Sequence, residues 1–169
     1  MFKKNVFQVL LVALLSVTLF ASCKKKDPDP VPVAANVVND PSGVKIKLTY
    51  TGATSDLNLY LYKNPYTASS DYVKSSRGFS GTESFDILPS DADIPDGSYT
   101  IVVRYTTSLI YTGKQALDYN LAVSGITNGK TYTTTGRFAA DLPDSDDYGT
   151  ARRQNYALLK VVGGIYTIN

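Results

Sequence analysis

Between Gly43 and Tyr62 the side chains alternate with a period of two, and no other feature limits the fold of this chain so tightly. Val44, Ile46, Leu48 and Tyr50 take every second position, with Lys45, Lys47 and Thr49 between them. Successive side chains of a strand point to opposite faces, so this spacing specifies a strand half-buried against a core. Leu57, Leu59 and Leu61 repeat the pattern, with Asn58, Tyr60 and Tyr62 on the other face, and Asn64-Pro65 ends the run. Tyr99, Ile101, Val103 and Tyr105 mark the strongest strand. Its only charge is Arg104, which predicts a central position in a sheet and places Tyr99 and Tyr105 in the core. Phe85 with Ile87, Tyr119 with Leu121 and Val123, and the threonine-rich segment 130–138 supply three more strands.

Turn chemistry separates these runs. Residues 51–55 and Pro95-Asp96-Gly97 read as turns, the latter because proline presets φ and glycine accepts positive φ. Residues 66–81 read as a long loop with one edge strand at Tyr72-Val73, and 33–38 as the end of a linker or a short first strand. Residues 139–155 read as a loop with one helical turn near 150–155. A terminal hairpin joins 156–162 to 165–168 through Gly163-Gly164, a pair suited to a type I′ turn. Eight or nine short strands and no 3.6-residue period predict an all-β chain: a single antiparallel β-sandwich, jelly-roll-like or immunoglobulin-like, over 36–169.

Ahead of that domain the sequence changes character. Lys3 and Lys4 precede 15 largely apolar residues from Val6 to Phe20, interrupted by Gln8, Ser16 and Thr18, and the segment closes with Ala21-Ser22-Cys23. A charged start, an apolar run and small residues before a break make a secretory signal. The run is shorter than the roughly 20 apolar residues of a membrane-spanning helix. The segment resembles a bacterial lipoprotein signal ending in a lipobox, with Ala21 and Ser22 in the small positions. Phe20 replaces the usual leucine, a departure seen in Bacteroidetes-type lipoproteins. The resemblance implies removal of residues 1–22, a diacylglycerol thioether on Cys23, an acylated amino terminus and anchoring at the outer membrane, on either face. Residues 23–35, with Lys24-Lys25-Lys26 followed by Pro28, Pro30 and Pro32, then read as an extended tether.

Composition excludes several function classes. The 17 basic residues fall to 15, level with the 15 acidic ones, once Lys3 and Lys4 leave with the signal, so no nucleic-acid partner is implied. The chain has no histidine, which excludes Ser-His-Asp and Cys-His chemistry and His-ligated metals. Cys23 is the only cysteine, so no disulfide forms, and lipidation leaves no thiol nucleophile. With Glu83 the lone glutamate, an enzyme would have to run on aspartates. No enzyme is expected.

Two stretches together are similar to the bacterial pre-peptidase C-terminal domain, a small jelly-roll-like sandwich found beside secreted peptidases. One is Ser55-Asp56-Leu57-Asn58-Leu59-Tyr60-Leu61-Tyr62. The other runs from Glu83-Ser84 to Asp96-Gly97-Ser98-Tyr99-Thr100-Ile101-Val102-Val103, with Tyr119-Asn120-Leu121-Ala122-Val123 as the closing strand. The likeness covers 43–124 and implies a fold and an accessory role, not an activity.

Candidate sites follow from parity and from clustered acids. If the leucines fill the core, Tyr60 and Tyr62 stand on the outer face beside Asn58, an aromatic row able to stack on a sugar or dock a protein. Asp91, Asp93 and Asp96 offer oxygens for calcium, although Pro95 breaks the calcium-loop spacing. Asp141, Asp144 and Asp146, with Asp147, form a second calcium candidate, faced by Arg152 and Arg153. The reading is a non-enzymatic, lipid-anchored binding protein with no cofactor beyond its lipid, and a protein or glycan as partner. The alternatives are a structural subunit of an envelope complex, marked by an unpaired edge strand, a calcium-stabilised accessory domain, and a carboxylate hydrolase with converging aspartates.

Overall fold

The computed structural model describes residues 36–51, 55–68, 70–78, 81–107, 115–140, 152–161 and 163–169. Ten strands carry the fold: β1 (Val37–Asn39), β2 (Val44–Tyr50), β3 (Ser55–Lys63), β4 (Tyr72–Ser76), β5 (Thr82–Ile87), β6 (Gly97–Thr107), β7 (Leu117–Gly125), β8 (Thr131–Phe138), β9 (Arg153–Val161) and β10 (Ile165–Ile168). They form a six-stranded sheet in the order β1-β10-β9-β6-β3-β4 and a four-stranded sheet in the order β5-β2-β7-β8. Every pairing is antiparallel. The chain is an antiparallel β-sandwich.

Period two explains what each sheet buries. Leu57, Leu59 and Leu61 of β3 and Tyr99, Ile101, Val103 and Tyr105 of β6 meet Val44, Ile46 and Leu48 of β2 and Leu117, Leu121 and Val123 of β7 in one core cluster. Burying each such side chain contributes about 1.5–3 kcal/mol. The strand with the fewest charges, β6, lies between β3 and β9, as its sequence predicts. β8, with its half-polar alternation, is an edge.

The strand count exceeds the expected eight or nine because Val37–Asn39 pairs with β10 as a true first strand. The helical turn expected near 150–155 is corrected to a shorter one: Arg152 is in a 3-10 turn, and from Arg153 onward the backbone is already β9, paired with β6 from Arg104↔Arg153 to Gly97↔Lys160. The long β6 edge requires a partner there, and pairing overrides a weak local preference. Residues 150 and 151, most of the turn at 51–55 and the acids Asp141, Asp144, Asp146 and Asp147 lie outside the described residues. The terminal hairpin turns at Gly163 and Gly164, with φ of 84° and 76°, the left-handed pair that a type I′ turn needs.

Polar groups close the two open sides of the sandwich. Between β4 and β5, Ser76 Oγ donates to Glu83 Oε2, and Lys74 pairs with Asp91 at 3.0 Å. On the other side the Tyr119 hydroxyl reaches Gln154 and, at 2.6 Å, the Tyr156 hydroxyl. At one end Asp40 ties three turns together. Its fully buried carboxylate accepts from Ser42 N, Thr127 N, Thr127 Oγ1 and Asn128 N at 2.7–2.8 Å, and its own N–H donates to Gly164 O.

Candidate functional site

The outer face of the six-stranded sheet holds the predicted aromatic residues, and parity places them correctly. Tyr60 and Tyr62 lie opposite the core leucines, in register with Val102 and Thr100 of β6. Their exposure, however, is corrected: each is only 5% exposed and Asn58 7%. Tyr66 stacks on Tyr62 with centroids 4.4 Å apart, and Tyr72 meets Tyr60 edge-on at 5.5 Å. Arg77 in turn lies over the Tyr72 ring at 5.5 Å. The segment after β3 folds back as β4 and covers the row, making a second small apolar cluster outside the sheet. Burial first, with Tyr60 and Tyr66 adding to it and Arg104 and Arg153 opposing, pushes the Tyr62 phenol up to about 12. Asn58 donates to Thr106 Oγ1 at 2.7 Å. These three residues form packing, and no open stacking surface.

The 88–96 loop also departs from expectation. Asp91 accepts from Leu88 N at 3.0 Å and pairs with Lys74, while Asp93 and Asp96 point to solvent. Burial raises the Asp91 carboxyl, but those bonds and the Lys74 charge outweigh it and hold it below the usual range. The loop carbonyls that a calcium ion would use are taken instead by Lys160. Its side chain is 2% exposed, and its ammonium donates to Leu88 O at 3.0 Å and Ile94 O at 2.5 Å. A calcium role for Asp91, Asp93 and Asp96 is therefore corrected: the loop encloses the protein's own cation. Among the described residues no three acid, cysteine or histidine side chains converge on one point. Cys23, with the whole of 1–35, lies outside the described residues.

The feature that sequence reading missed is on the four-stranded sheet. A groove of about 630 Å³ opens there, lined by Thr49, Asp118, Asn120, Thr135 and Arg137, with Thr51 and the inward-parity residues Tyr50, Tyr119 and Gly136 completing the wall. Register builds it. Thr49, Asn120 and Thr135 lie directly opposite one another across β2, β7 and β8, and Asp118 lies opposite Arg137 on the next rung. Arg137 Nη1 donates to both Asp118 oxygens at 3.2 Å. Gly136 leaves room beneath for the Tyr119 ring, which a Cβ would strike. Gln154 then fixes that ring and also donates to Arg137 O at 2.9 Å. Apart from Ala122, the face is hydrophilic: Ser84, Lys45, Lys47, Ser124, Thr131 and Thr133 continue it beyond the groove. The alternation that reveals the core also marks these positions as outward. Only the pairing register, invisible in the sequence, brings five of them together.

Comparison with protein-family models, with curated proteins and with solved structures finds no match.

Proposed function

We propose that this chain is an outer-membrane lipoprotein, anchored through Cys23, that acts by binding rather than catalysis and takes a glycan in the groove of its four-stranded sheet. The groove lining supports this reading. Its volume lies within the roughly 300–1,000 Å³ range of small-molecule sites. Hydroxyls, an amide, a carboxylate and a guanidinium together offer both donors and acceptors, as a polyhydroxylated ligand requires. Asp118 is already engaged by Arg137, so the groove lacks a second, unengaged carboxylate for glycoside chemistry.

A glycan array probed with the purified chain tests this. Binding is expected to weaken at least tenfold in Asn120→Ala and in Arg137→Ala with the melting temperature unchanged. Binding unaffected by both substitutions, or no glycan bound, rejects the reading. Mass spectrometry of Cys23 tests the anchor, and Cys23→Ala should release the protein from membranes.

One observation favours the structural-subunit reading as a second possibility. β8 is an eight-residue edge with no bulge in its pairing to β7, and Arg137 is its only charge. Such an edge can accept a strand from a partner. Thr133→Pro would block that pairing and leave glycan binding intact.

A further inference from the structure

A site unlike the groove lies where β4 of one sheet meets β5 of the other. Asp56 is the second residue of β3, and Glu83 lies in β5 with the inward parity of Phe85 and Ile87. Both are about 3% exposed. Buried carboxylates normally keep a cation or several hydrogen-bond donors beside them, because an uncompensated charge away from water is expensive. Here the donors are few. Asp56 accepts from the Tyr50 hydroxyl and the Leu57 amide, and Glu83 Oε2 from Ser76 Oγ. No lysine or arginine among the described residues forms an ion pair with either acid.

Two further observations point to a missing ligand. Glu83 Oε1 is buried and has no hydrogen-bond partner among the described residues. The position in front of it is Gly78, where a Cβ would sit 3.1 Å from that oxygen. A side chain there would crowd the orphaned atom. The two acids also act on each other. Burial raises the Asp56 carboxyl, the Tyr50 hydroxyl opposes this, and the Glu83 charge raises it further. Burial and the bond to Asp56 likewise push the Tyr50 phenol up.

We propose that Asp56 and Glu83 are the charged ligands of a hard divalent cation of the calcium class, with Tyr50 Oη and Ser76 Oγ as neutral oxygens beside them. A divalent ion cancels both carboxylate charges and gives Glu83 Oε1 the partner it lacks. Two carboxylates supply up to four oxygens toward the six to eight that calcium takes, with water able to complete the shell. Calcium suits this better than magnesium, which demands a near-ideal octahedron. The 88–96 loop supplies the internal contrast, since there a buried ammonium already fills the cation's place.

Terbium, a calcium-sized ion that emits when excited through a neighbouring tyrosine, is the probe. Titrated into the full chain under tyrosine excitation, it should give saturable emission that calcium displaces, and millimolar calcium should raise the melting temperature. Glu83→Gln and Asp56→Asn should each weaken terbium binding at least tenfold. No saturable emission, or binding that survives in both variants, overturns the proposal. If neither variant folds, the unaltered chain still decides. Calcium should abolish the fall in melting temperature that a raised carboxyl produces as pH rises above the ordinary carboxylate range. An identical fall with and without calcium would mean that the pair holds a proton, and the proposal would fail.

Discussion

Asp40 and Asp56 are both hidden from solvent, yet their surroundings drive them in opposite directions. At Asp40, burial favours the protonated acid, but hydrogen bonds from Asn128, Ser42 and Thr127 outweigh it and hold the carboxyl down at about 2. At Asp56, the Tyr50 phenol and the Leu57 amide do not outweigh burial and a neighbouring carboxylate, and the carboxyl goes up. Exposure is nearly the same at the two sites, and the number of donors differs. An anion held by four donors is a fixed part of the fold, whereas one short of donors is poised to take up a proton or a metal.

The largest expected break in this contrast is at Asp40. Asp40→Ala would strand the Thr127 and Asn128 amides without an acceptor and lower the melting temperature by about 10 °C. In chelator-treated protein, Asp56→Asn should shift it by no more than about 3 °C, since one carboxylate repulsion disappears with the charge. Equal losses measured by calorimetry would end the distinction. Gly164→Ala attacks the same clasp from the β9–β10 turn, where φ is 76° and a Cβ would strike the Asp40 carbonyl. Left-handed strain alone costs about 1–3 kcal/mol there, readable by urea unfolding.

The two acids should also separate along the pH axis. A depressed carboxyl contributes stability that is present above about pH 4 and lost as pH falls through its folded value of about 2. A raised carboxyl contributes stability at low pH that is lost as pH rises through its folded value. Calcium-free protein should therefore lose melting temperature as pH rises above the ordinary carboxylate range, and its melting temperature should fall again below pH 3. Asp56→Asn should flatten the first slope and spare the second. Ser76→Ala should have the smallest effect, about 1 kcal/mol, because it removes one neutral donor from Glu83.

The strands were legible because alternation reports directly which face of a strand is buried. Leu57, Leu59 and Leu61 in the core, β6 at the centre of its sheet and the Gly163-Gly164 hairpin all follow from local pattern. Parity names a face, however, and not what covers it. Tyr60 and Tyr62 are outward as read, and the covering rings, Tyr66 and Tyr72, arrive through a chain reversal that alternation does not encode. The 88–96 loop misled for a similar reason. Its acids are crowded in sequence, but the cation that serves its carbonyls comes from Lys160 in β9. Asp56 and Glu83 read as ordinary strand residues, because their proximity exists only after the two sheets pack.

The Asp40 clasp also carries a mechanical consequence. Asp40 directly follows β1, a three-residue strand whose one strand partner is β10 and whose Asn39 carbonyl also accepts from Asn128. A tug arriving from the amino-terminal side would peel that short strand rung by rung and then meet four hydrogen bonds in shear at one side chain. Three of those bonds reach into the β7–β8 turn, so the force would pass to the far sheet before any long strand began to unzip.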